Sequence, residues 1–584
     1  MYSSLTRLFI AFGLMFYVSL VASMAQEQRQ VEFIASEADL EVLKKYPISL
    51  QGKDSLAIWQ LLSDVKIDLH RSGYLTAGFD TVHFFPGLVR VHAWLGKPYS
   101  LARLTIEEES KPLFNKIGYR ERFYQKKPFN QHEVAALMEK AITYSENNGY
   151  PFASLTMRDV QVSDNQIEAV LDYSSGPLIT FDSIAIEGNA KIKPRFLHTL
   201  LRLNPGEPYD ESQVNAAFSR LKTLPYVKVK RPPTVTFQNE QAIVSFELEA
   251  RKSNQIDGII GFLPNEAQDR KVLLTGEFNL HLQNLMGTGK SLMVQWQKLK
   301  PLSQYLELQY DHPNLFKTVL DVSGGLNLLK EDTSFINRTF NLSIAHRAGK
   351  YGKLRFYTQY KTGNLIATAQ YKDAIRLPDL ADFKLTVYGL GYGLVKLDDL
   401  LWPTAGYTLS IDADAGNKRI LRNSGLDERL YQDITRNNLQ VSARLSVAKF
   451  TRITNRNILL TRLQGALTAS KRLFLNDLYR VGGLNSLRGF NENFFFASEY
   501  LVTTIEKRFL MSQTSYLLLF YDQSYIHYAL DNKQYRDYPL GLGAGINFET
   551  NGGIFTFVFA VGKNQEQGLS LNYSKIHFGY ISRF

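Results

Sequence analysis

The sequence predicts α+β repeats followed by an all-β barrel of about 16 antiparallel strands that spans a membrane. Two observations predict this fold. Aromatic residues make up 12% of the 584 residues although the mean hydropathy is only −0.19. This excludes a helical membrane protein, which needs long apolar runs. Helical patterns also end near Arg251, and strand-sized segments of alternating apolar and polar residues continue from there to Phe584.

The first residues, 1–25, predict a cleaved signal peptide. Arg7 precedes an apolar run at 8–22 that is too short to span a bilayer comfortably, and Ser23 and Ala25 supply small residues at the −3 and −1 positions. No cysteine follows, so a lipoprotein is not expected. We expect an exported mature chain that begins near Gln26.

The next three segments, 26–98, 99–177 and 178–251, predict copies of one small α+β domain. The third is the clearest, with the order strand, helix, helix, strand, strand. Helices in the first two segments end in similar phrases, RSGYLTA at 71–77 and NNGYPFA at 147–153, which favours an internal repeat over three unrelated domains.

The last segment, 252–584, predicts the barrel. The final strand places Ile576, Phe578, Tyr580 and Phe584 on one face, opposite polar residues, as expected for a wall with an apolar outside. Closing the sheet removes edges that lipid would leave unpaired. A soluble β-sandwich is the alternative, but the signal peptide and the aromatic last strand argue against it.

The composition gives no sign of an enzyme. The absence of cysteine excludes disulfides, thiol catalysis and thiolate metal sites, and the 10 histidines lack metal spacing. GTGKS at 287–291 lacks the first glycine of a phosphate-binding loop, because position 284 is Asn. The net charge of +11 is spread along the chain, so nucleic acid is not indicated. We therefore expect no catalytic residues, metal or cofactor.

The stretch 478–493 is the most distinctive. It contains Gly482, Gly483 and Gly489, which predict a tightly folded backbone, and a lone Arg488. Taken alone, it is typical of an ordinary glycine-rich loop with a solvated arginine. Counting strands makes it part of the sixth outer loop, which is long enough to fold back into the lumen.

Several motifs together resemble the BamA/TamA superfamily of outer-membrane assembly and secretion barrels, and the chain is most similar to its TamA-like members. The resemblance implies periplasmic POTRA domains and a 16-stranded barrel in the outer membrane of a Gram-negative bacterium. It rests on LRGF at 487–490, LQNLMGTGKS at 282–291, LWPTAGYTLSIDAD at 401–414, TTIEKRF at 503–509 and YDQSYIHY at 521–528.

The same resemblance implies a loop-six anchor. Arg488, Gly489 and Phe490 would hold the loop inside the barrel, with Glu506 and Asp522 on the inner wall as partners of the guanidinium. A guanidinium suits this task because it makes bidentate bonds to carboxylates.

The implied function is assembly and insertion of outer-membrane proteins. Client strands would add to POTRA sheet edges, and the first and last barrel strands would form a lateral seam. Gly258, Gly261, Gly579 and Phe584 are the seam candidates, because glycine weakens strands, although it also permits curvature. The implied partners are unfolded outer-membrane or secreted clients, outer-membrane lipids and accessory periplasmic or inner-membrane subunits, with no nucleic acid.

The alternative is a two-partner secretion channel that exports one dedicated passenger. Three POTRA copies, with no proline-rich plug helix before them, favour assembly. A passive porin would not explain the N-terminal repeats.

Overall fold

The computed structural model describes residues 30–46, 55–85, 88–264, 272–298, 302–349, 351–432, 434–531, 533–550 and 552–584. The expected signal peptide, 1–25, lies outside the described residues. Within those residues, no helix has both the length and the apolar character needed to cross a membrane.

Helices and strands are mixed up to residue 251, and strands dominate thereafter. The helices are Glu37–Leu43, Ser55–Arg71, Lys111–Lys116, Gln131–Glu146, Pro194–Leu201 and Glu211–Lys222. The strands before the barrel are β1 (Gln30–Ile34), β2 (Gly78–Phe85), β3 (Leu88–Trp94), β4 (Ser100–Ile106), β5 (Lys127–Pro128), β6 (Ser154–Ser163), β7 (Gln166–Ser174), β8 (Thr180–Glu187), β9 (Val227–Val229), β10 (Thr234–Gln238) and β11 (Gln241–Ala250).

The remaining strands build the barrel, except for the short pair β23 and β24. They are β12 (Gln255–Pro264), β13 (Val272–Leu285), β14 (Lys290–Lys298), β15 (Gln304–His312), β16 (Leu320–Glu331), β17 (Phe335–Ala348), β18 (Gly352–Leu365), β19 (Phe383–Leu397), β20 (Gly406–Ile420), β21 (Asn437–Arg452), β22 (Asn457–Ser470), β23 (Tyr479–Val481), β24 (Phe495–Ala497), β25 (Glu499–Leu510), β26 (Tyr516–Leu530), β27 (Lys533–Asp537), β28 (Leu540–Glu549), β29 (Ile554–Lys563) and β30 (Lys575–Arg583).

Packing divides the chain into two units. The first contains the chain up to Phe181 together with 206–211 and 239–241, and the second contains the rest. The first unit holds two mixed sheets with the strand orders β1-β3-β2 and β5-β4-β7-β6. In each, one neighbouring pair is parallel, β1 with β3 and β4 with β7. The domain boundaries derived from the sequence stay predictions.

The repeated Gly-Tyr phrase of the first unit has a structural cause. Gly73 and Gly149 each follow a long helix and have left-handed backbone, with φ of +96° and +94°. In both places the N–H of the next residue, Tyr74 or Tyr150, donates to a carbonyl five residues earlier, at 3.0 Å and 2.9 Å. This hydrogen bond is a common way to end a helix, and it favours glycine at the left-handed position.

The second sheet shows how such a domain builds its core. Asn130 caps the helix Gln131–Glu146, because its Oδ1 accepts from the backbone N–H groups of His132 and Glu133 at 3.0 Å and 3.3 Å. The helix then buries Val134, Leu137 and Ala141 in a cluster with Leu104 and Leu171 of the sheet. Their helical spacing puts these side chains on one face.

The second unit holds the third sheet and the barrel. The sheet has the order β10-β11-β8, with β9 also paired to β11. The barrel closes from β12 to β30, and β27 and β28 count as one interrupted strand because both pair with β26. The described residues therefore form the sixteen-stranded barrel that the sequence predicts, and the predicted fold class is confirmed.

Candidate functional site

The connection between β22 and β25, residues 471–498, is here called loop six. Within it, β23 and β24 pair as a small antiparallel sheet. The guanidinium of Arg480 lies 3.6 Å above the ring of Phe496 and joins the two strands. The chain between them turns through left-handed backbone with φ of +134°, +96° and +90° at Gly482, Gly483 and Gly489.

The structure brings the predicted anchor residues together. Arg488 Nε and Nη2 donate to Asp522 Oδ2 and Oδ1, both at 2.7 Å, and Nη1 donates to Glu506 Oε2 at 2.5 Å. All three side chains are buried, with 4%, 0% and 3% of the surface of Arg488, Asp522 and Glu506 exposed. Bidentate, charge-assisted bonds of this kind define both the position and the direction of the arginine.

Further groups complete this site. Arg508 Nε donates to Glu506 Oε1 at 2.8 Å, so Glu506 lies between two guanidinium groups. The ring of Phe520 stacks 3.5 Å from the Arg488 guanidinium carbon. Two cations thus balance two carboxylates, which offsets the cost of removing these charges from water.

Loop six rests on a flat glycine surface that the sequence reasoning missed. Gly541 on β28 lies opposite Gly562 on β29. A Cβ at Gly541 would overlap the Arg488 carbonyl, and one at Gly562 would come within 2.6 Å of the Gly489 oxygen and 2.8 Å of the Phe490 ring. The signal in the sequence was glycine at alternate positions of LGLGAG, 540–545, which puts small residues on the inner face.

A second buried ion pair holds the start of loop six, and the sequence analysis did not predict this pair. Lys418 on β20 pairs with Asp477, and neither side chain has exposed surface. The Lys418 ammonium lies 5.1 Å and 4.8 Å from the ring centres of Phe383 and Phe474. Asp477 also accepts from the Phe474 N–H at 2.9 Å. Lys418 is flanked by the polar residues Asn417 and Arg419, so alternation did not indicate which of the three faces the lumen.

Loop six is also tied to its neighbours. The backbone carbonyl of Asn476 accepts hydrogen bonds from Asn337 Nδ2 at 2.8 Å and from Lys361 Nζ at 3.2 Å. An apolar cluster then joins loop six to the loops 366–382 and 421–436. Its buried members are Leu365, Leu377, Ala381, Ile420, Leu426, Tyr431 and Phe474.

The lumen below these loops is polar. A cavity of about 490 Å³ is bordered by Arg355, Tyr357 and Arg444. Arg355 pairs with Asp412, and Arg444 lies 3.3 Å from Asp414, which also accepts from the Tyr357 hydroxyl at 2.8 Å. The alternating aspartates on β20 are therefore neutralised by arginines. Within the described residues, no group of three or more His, Cys, Asp or Glu could hold a metal ion.

The barrel closes on a short ladder, here called the seam. β12 and β30 pair only at Gln255 with Arg583 and at Ile256 with Ser582 in the described residues. Phe584 adds one backbone bond, from its N–H to the Asn254 carbonyl at 3.1 Å. By contrast, β12 pairs with β13 along its whole length.

The predicted seam glycines lie beyond this short ladder. Gly258 and Gly261 pair with β13, and Gly579 pairs with Thr556 of β29. A Cβ at Gly258 would lie 2.9 Å from the Glu277 carbonyl, whereas one at Gly579 would have ordinary contacts at 3.6 Å. The local packing therefore requires glycine at position 258 but not at 579.

The turn between β13 and β14 packs on the third sheet's domain. The Lys193 N–H donates to the Gly287 carbonyl at 2.8 Å, and Asn284 Nδ2 donates to the Lys191 carbonyl at 2.9 Å. A Cβ at Gly289 would overlap the Phe196 ring. The glycines of the false phosphate-binding motif thus serve close packing between a domain and the barrel.

Comparison with known families agrees with this architecture. Residues 284–584 match the Omp85 superfamily domain, and residues 179–251 match the POTRA family described as a surface antigen variable number repeat. The chain belongs to the Omp85 superfamily. It is therefore an outer-membrane β-barrel protein whose POTRA domains lie in the periplasm. Members of this superfamily are assembly and transport proteins.

Individual relatives are distant. The outer membrane protein assembly factor BamA of Neisseria meningitidis serogroup B is 21% identical over 314 residues, which are 49% of this chain and 38% of that protein. The chain thus covers less than half of this relative's length.

Two solved structures share the fold. CdiB from Acinetobacter baumannii has a TM-score of 0.54 at 11% identity and covers 93% of this chain and 98% of its own. CdiB from Escherichia coli has a TM-score of 0.52 at 12% identity and covers 95% of this chain and 100% of its own. At these identities the likeness concerns the fold alone.

Proposed function

We propose that this Omp85 protein assembles and inserts other proteins into the outer membrane. The seam between β12 and β30 carries the proposal. The rest of the barrel is held by long ladders, whereas the seam is held at two positions and by the Phe584 N–H. Backbone groups that face lipid without a partner are costly, so an open seam favours the addition of another strand.

The periplasmic domains offer a place for extended clients. In the second sheet, β6 pairs with β7 on one side, and the described residues place no strand on its other side. A bulge near Asp159 limits the straight edge to Ser154–Arg158. A client strand added there would be held by main-chain hydrogen bonds, which depend little on its sequence.

Export of an unfolded passenger protein through the lumen is the second candidate function. The polar cavity beside Arg355 favours a path for a polar chain. Against this path, the buried Arg488 and Lys418 pairs hold loop six inside, and the apolar cluster joins three outer loops. Export would require these contacts to be broken, whereas insertion through the seam leaves them in place.

A disulfide across the seam separates the two functions. The chain has no cysteine, so Ile256→Cys with Ser582→Cys introduces one defined pair at facing positions of the ladder. Under oxidation we expect the outer membrane to lose many unrelated barrel proteins, and reduction to restore them. The measurement is quantitative proteomics of outer membranes and culture supernatant from cells that carry only this variant.

Each single-cysteine variant serves as a matched control and is expected to act like wild type. A seam that is cross-linked in full while the membrane proteins stay at wild-type levels would contradict the insertion proposal. The same result with the secreted proteins also unchanged would favour export, because a path through the lumen does not use the seam.

A further inference from the structure

Outward-facing polar residues form a continuous row across five strands near the outer loops. Strand pairing places Arg338 of β17 opposite Thr362, Thr362 opposite Lys384, Lys384 opposite Arg419, and Arg419 opposite Asn437 of β21. Neighbouring strands are about 4.8 Å apart, so this basic row is about 19 Å long.

The basic row faces away from the lumen. Lys384 and Arg419 are exposed, whereas Phe383 and Lys418, which directly precede them, have no exposed surface. Successive side chains of a strand point to opposite faces. Because Lys418 reaches Asp477 of loop six on the inside, Arg419 points to the outside.

The charges of the basic row are unbalanced on the protein itself. Lys384 and Arg419 lie directly opposite each other, and like charges in that position destabilise a sheet. No carboxylate belongs to the row, and no ion pair of Lys384 or Arg419 is found among the described residues. Arg338 donates to the Asn364 amide oxygen at 3.2 Å, which leaves its charge uncompensated. An anion from outside the chain would balance the positive charge of this row.

The row borders the apolar band of the barrel. Two residues closer to the periplasm, Phe340 and Leu439 face outward with 52% and 67% of their surface exposed. Further along the same face, Tyr388 and Leu390 are exposed at 60% and 59%. The POTRA domains lie on the other side of the membrane, so the row lies at the level of the outer-leaflet headgroups.

We propose that the basic row binds the headgroup of a phosphorylated glycolipid of the outer leaflet. Guanidinium groups bind phosphate oxygens bidentately, and a lysine ammonium adds a point charge. Arg338 is separated from Lys384 by two strand spacings, about 10 Å, so the row suits a headgroup with two phosphates. Thr362 and Asn437 supply further hydrogen-bonding groups for sugar hydroxyls or phosphate oxygens. The acyl chains would lie along the exposed aromatic and aliphatic residues below.

The test is lipid binding by the full-length protein in phosphatidylcholine nanodiscs. The probes are lipid A with two phosphates, the same lipid without phosphates, and phosphatidylglycerol, each measured by native mass spectrometry. We expect Lys384→Gln with Arg419→Gln to weaken binding of bisphosphorylated lipid A roughly thirtyfold, the loss expected for two cations near an anionic surface. Wild type should bind the dephosphorylated lipid at least about tenfold more weakly.

A matched control uses two outward cations at the periplasmic end. Lys449 lies opposite the exposed Tyr407, and Lys507 lies opposite Leu459. Lys449→Gln with Lys507→Gln should leave lipid A binding unchanged, and Arg419→Lys should retain most of it. The shift in gel mobility on heating checks that each barrel is folded, and the single variant Lys384→Gln replaces the double variant if that one does not fold.

Three results would overturn the assignment. They are unchanged binding after loss of Lys384 and Arg419, equal loss in the periplasmic control, and phosphatidylglycerol bound as tightly as lipid A. The last result would indicate a general contact with anionic lipid. The test is independent of protein assembly, so its failure would leave the proposed function untouched.

Discussion

Arg488 balances two carboxylates that have almost no contact with water. Asp522 accepts two hydrogen bonds from the side chain of Arg488 and a third, at 3.3 Å, from the backbone N–H of Arg488. Arg508 continues to neutralise Glu506 if Arg488 is lost, but no other ion pair of Asp522 is found in the part of the chain that the structure describes. Removing one partner of a buried ion pair costs about 3–5 kcal/mol, because the other charge stays buried.

We therefore predict that Arg488→Ala frees the tip of loop six and lowers activity while the barrel still inserts. Limited proteolysis of intact cells should cut between Gly482 and Asn493 in the variant and spare the wild type. Arg488→Lys should have an intermediate effect, because an ammonium cannot bond both oxygens of Asp522 in the bidentate manner. Arg429→Ala, an exposed arginine in a neighbouring loop with 82% of its side chain accessible, is the control. Equal protease resistance of Arg488→Ala and wild type would show that Arg488 does not anchor the loop.

Loop six, as an element, is held at its start and at its tip. Its start is held by Lys418 and Asp477, and its tip by Arg488 on the inner wall. Between these anchors, the tip lies on the facing glycines Gly541 and Gly562. Two separate ionic anchors, together with the apolar contacts of Leu487, Phe490 and Phe495 with Val502 and Ile526 of the wall, hold this long connection inside the barrel.

We predict that Lys418→Met loosens the start of loop six more than Lys418→Met combined with Asp477→Asn. The single variant leaves the buried Asp477 carboxylate without its ion-pair partner, whereas the amide of the double variant carries no charge. Proteolysis near residues 472–478 and the temperature of the heat-induced mobility shift measure the effect. A double variant that is as labile as the single one would mean that Lys418 acts through packing against Phe383 and Phe474 and not through charge.

At the level of the whole molecule, the barrel combines a strongly held inside with a weakly held wall. The outer loops share an apolar cluster and loop six has two buried anchors, whereas the seam has a ladder of two positions. Because a molecule opens first where the fewest interactions must break, this distribution favours lateral movement at β12 and β30 over opening of the lumen.

We predict that depletion of the protein lowers many unrelated outer-membrane barrels and leaves secreted proteins nearly unchanged. Quantitative proteomics of the outer membrane and of the culture supernatant provides the measurement. Restoring wild-type protein should reverse the loss. Depletion that removes a single secreted protein, and nothing from the membrane, would favour the export channel.

The sequence alone determined the class and order of the fold, because its signals are local. Period-two alternation identifies a strand and its apolar face wherever it lies, and the composition rules out membrane helices. Strand ends near the outer loops are harder to read from the sequence. β20 runs to Ile420 although the consecutive polar residues Asn417, Lys418 and Arg419 interrupt the alternation that identifies a strand. The LRGF stretch was recognised through its resemblance to a family, and the structure shows the contacts that its arginine makes.

Only the tertiary structure decided what joins residues far apart in the chain. The facing glycines Gly541 and Gly562 and the opposition of Lys384 to Arg419 depend on strand register. The pair of Lys418 with Asp477 depends on how loop six folds back into the lumen. Register depends on which residues face the lipid and on the geometry of each connecting turn, and the turn geometry is not contained in the alternation of one strand. The shortness of the seam is of the same kind, since it depends on how the first and last strands meet once all the others have closed the barrel.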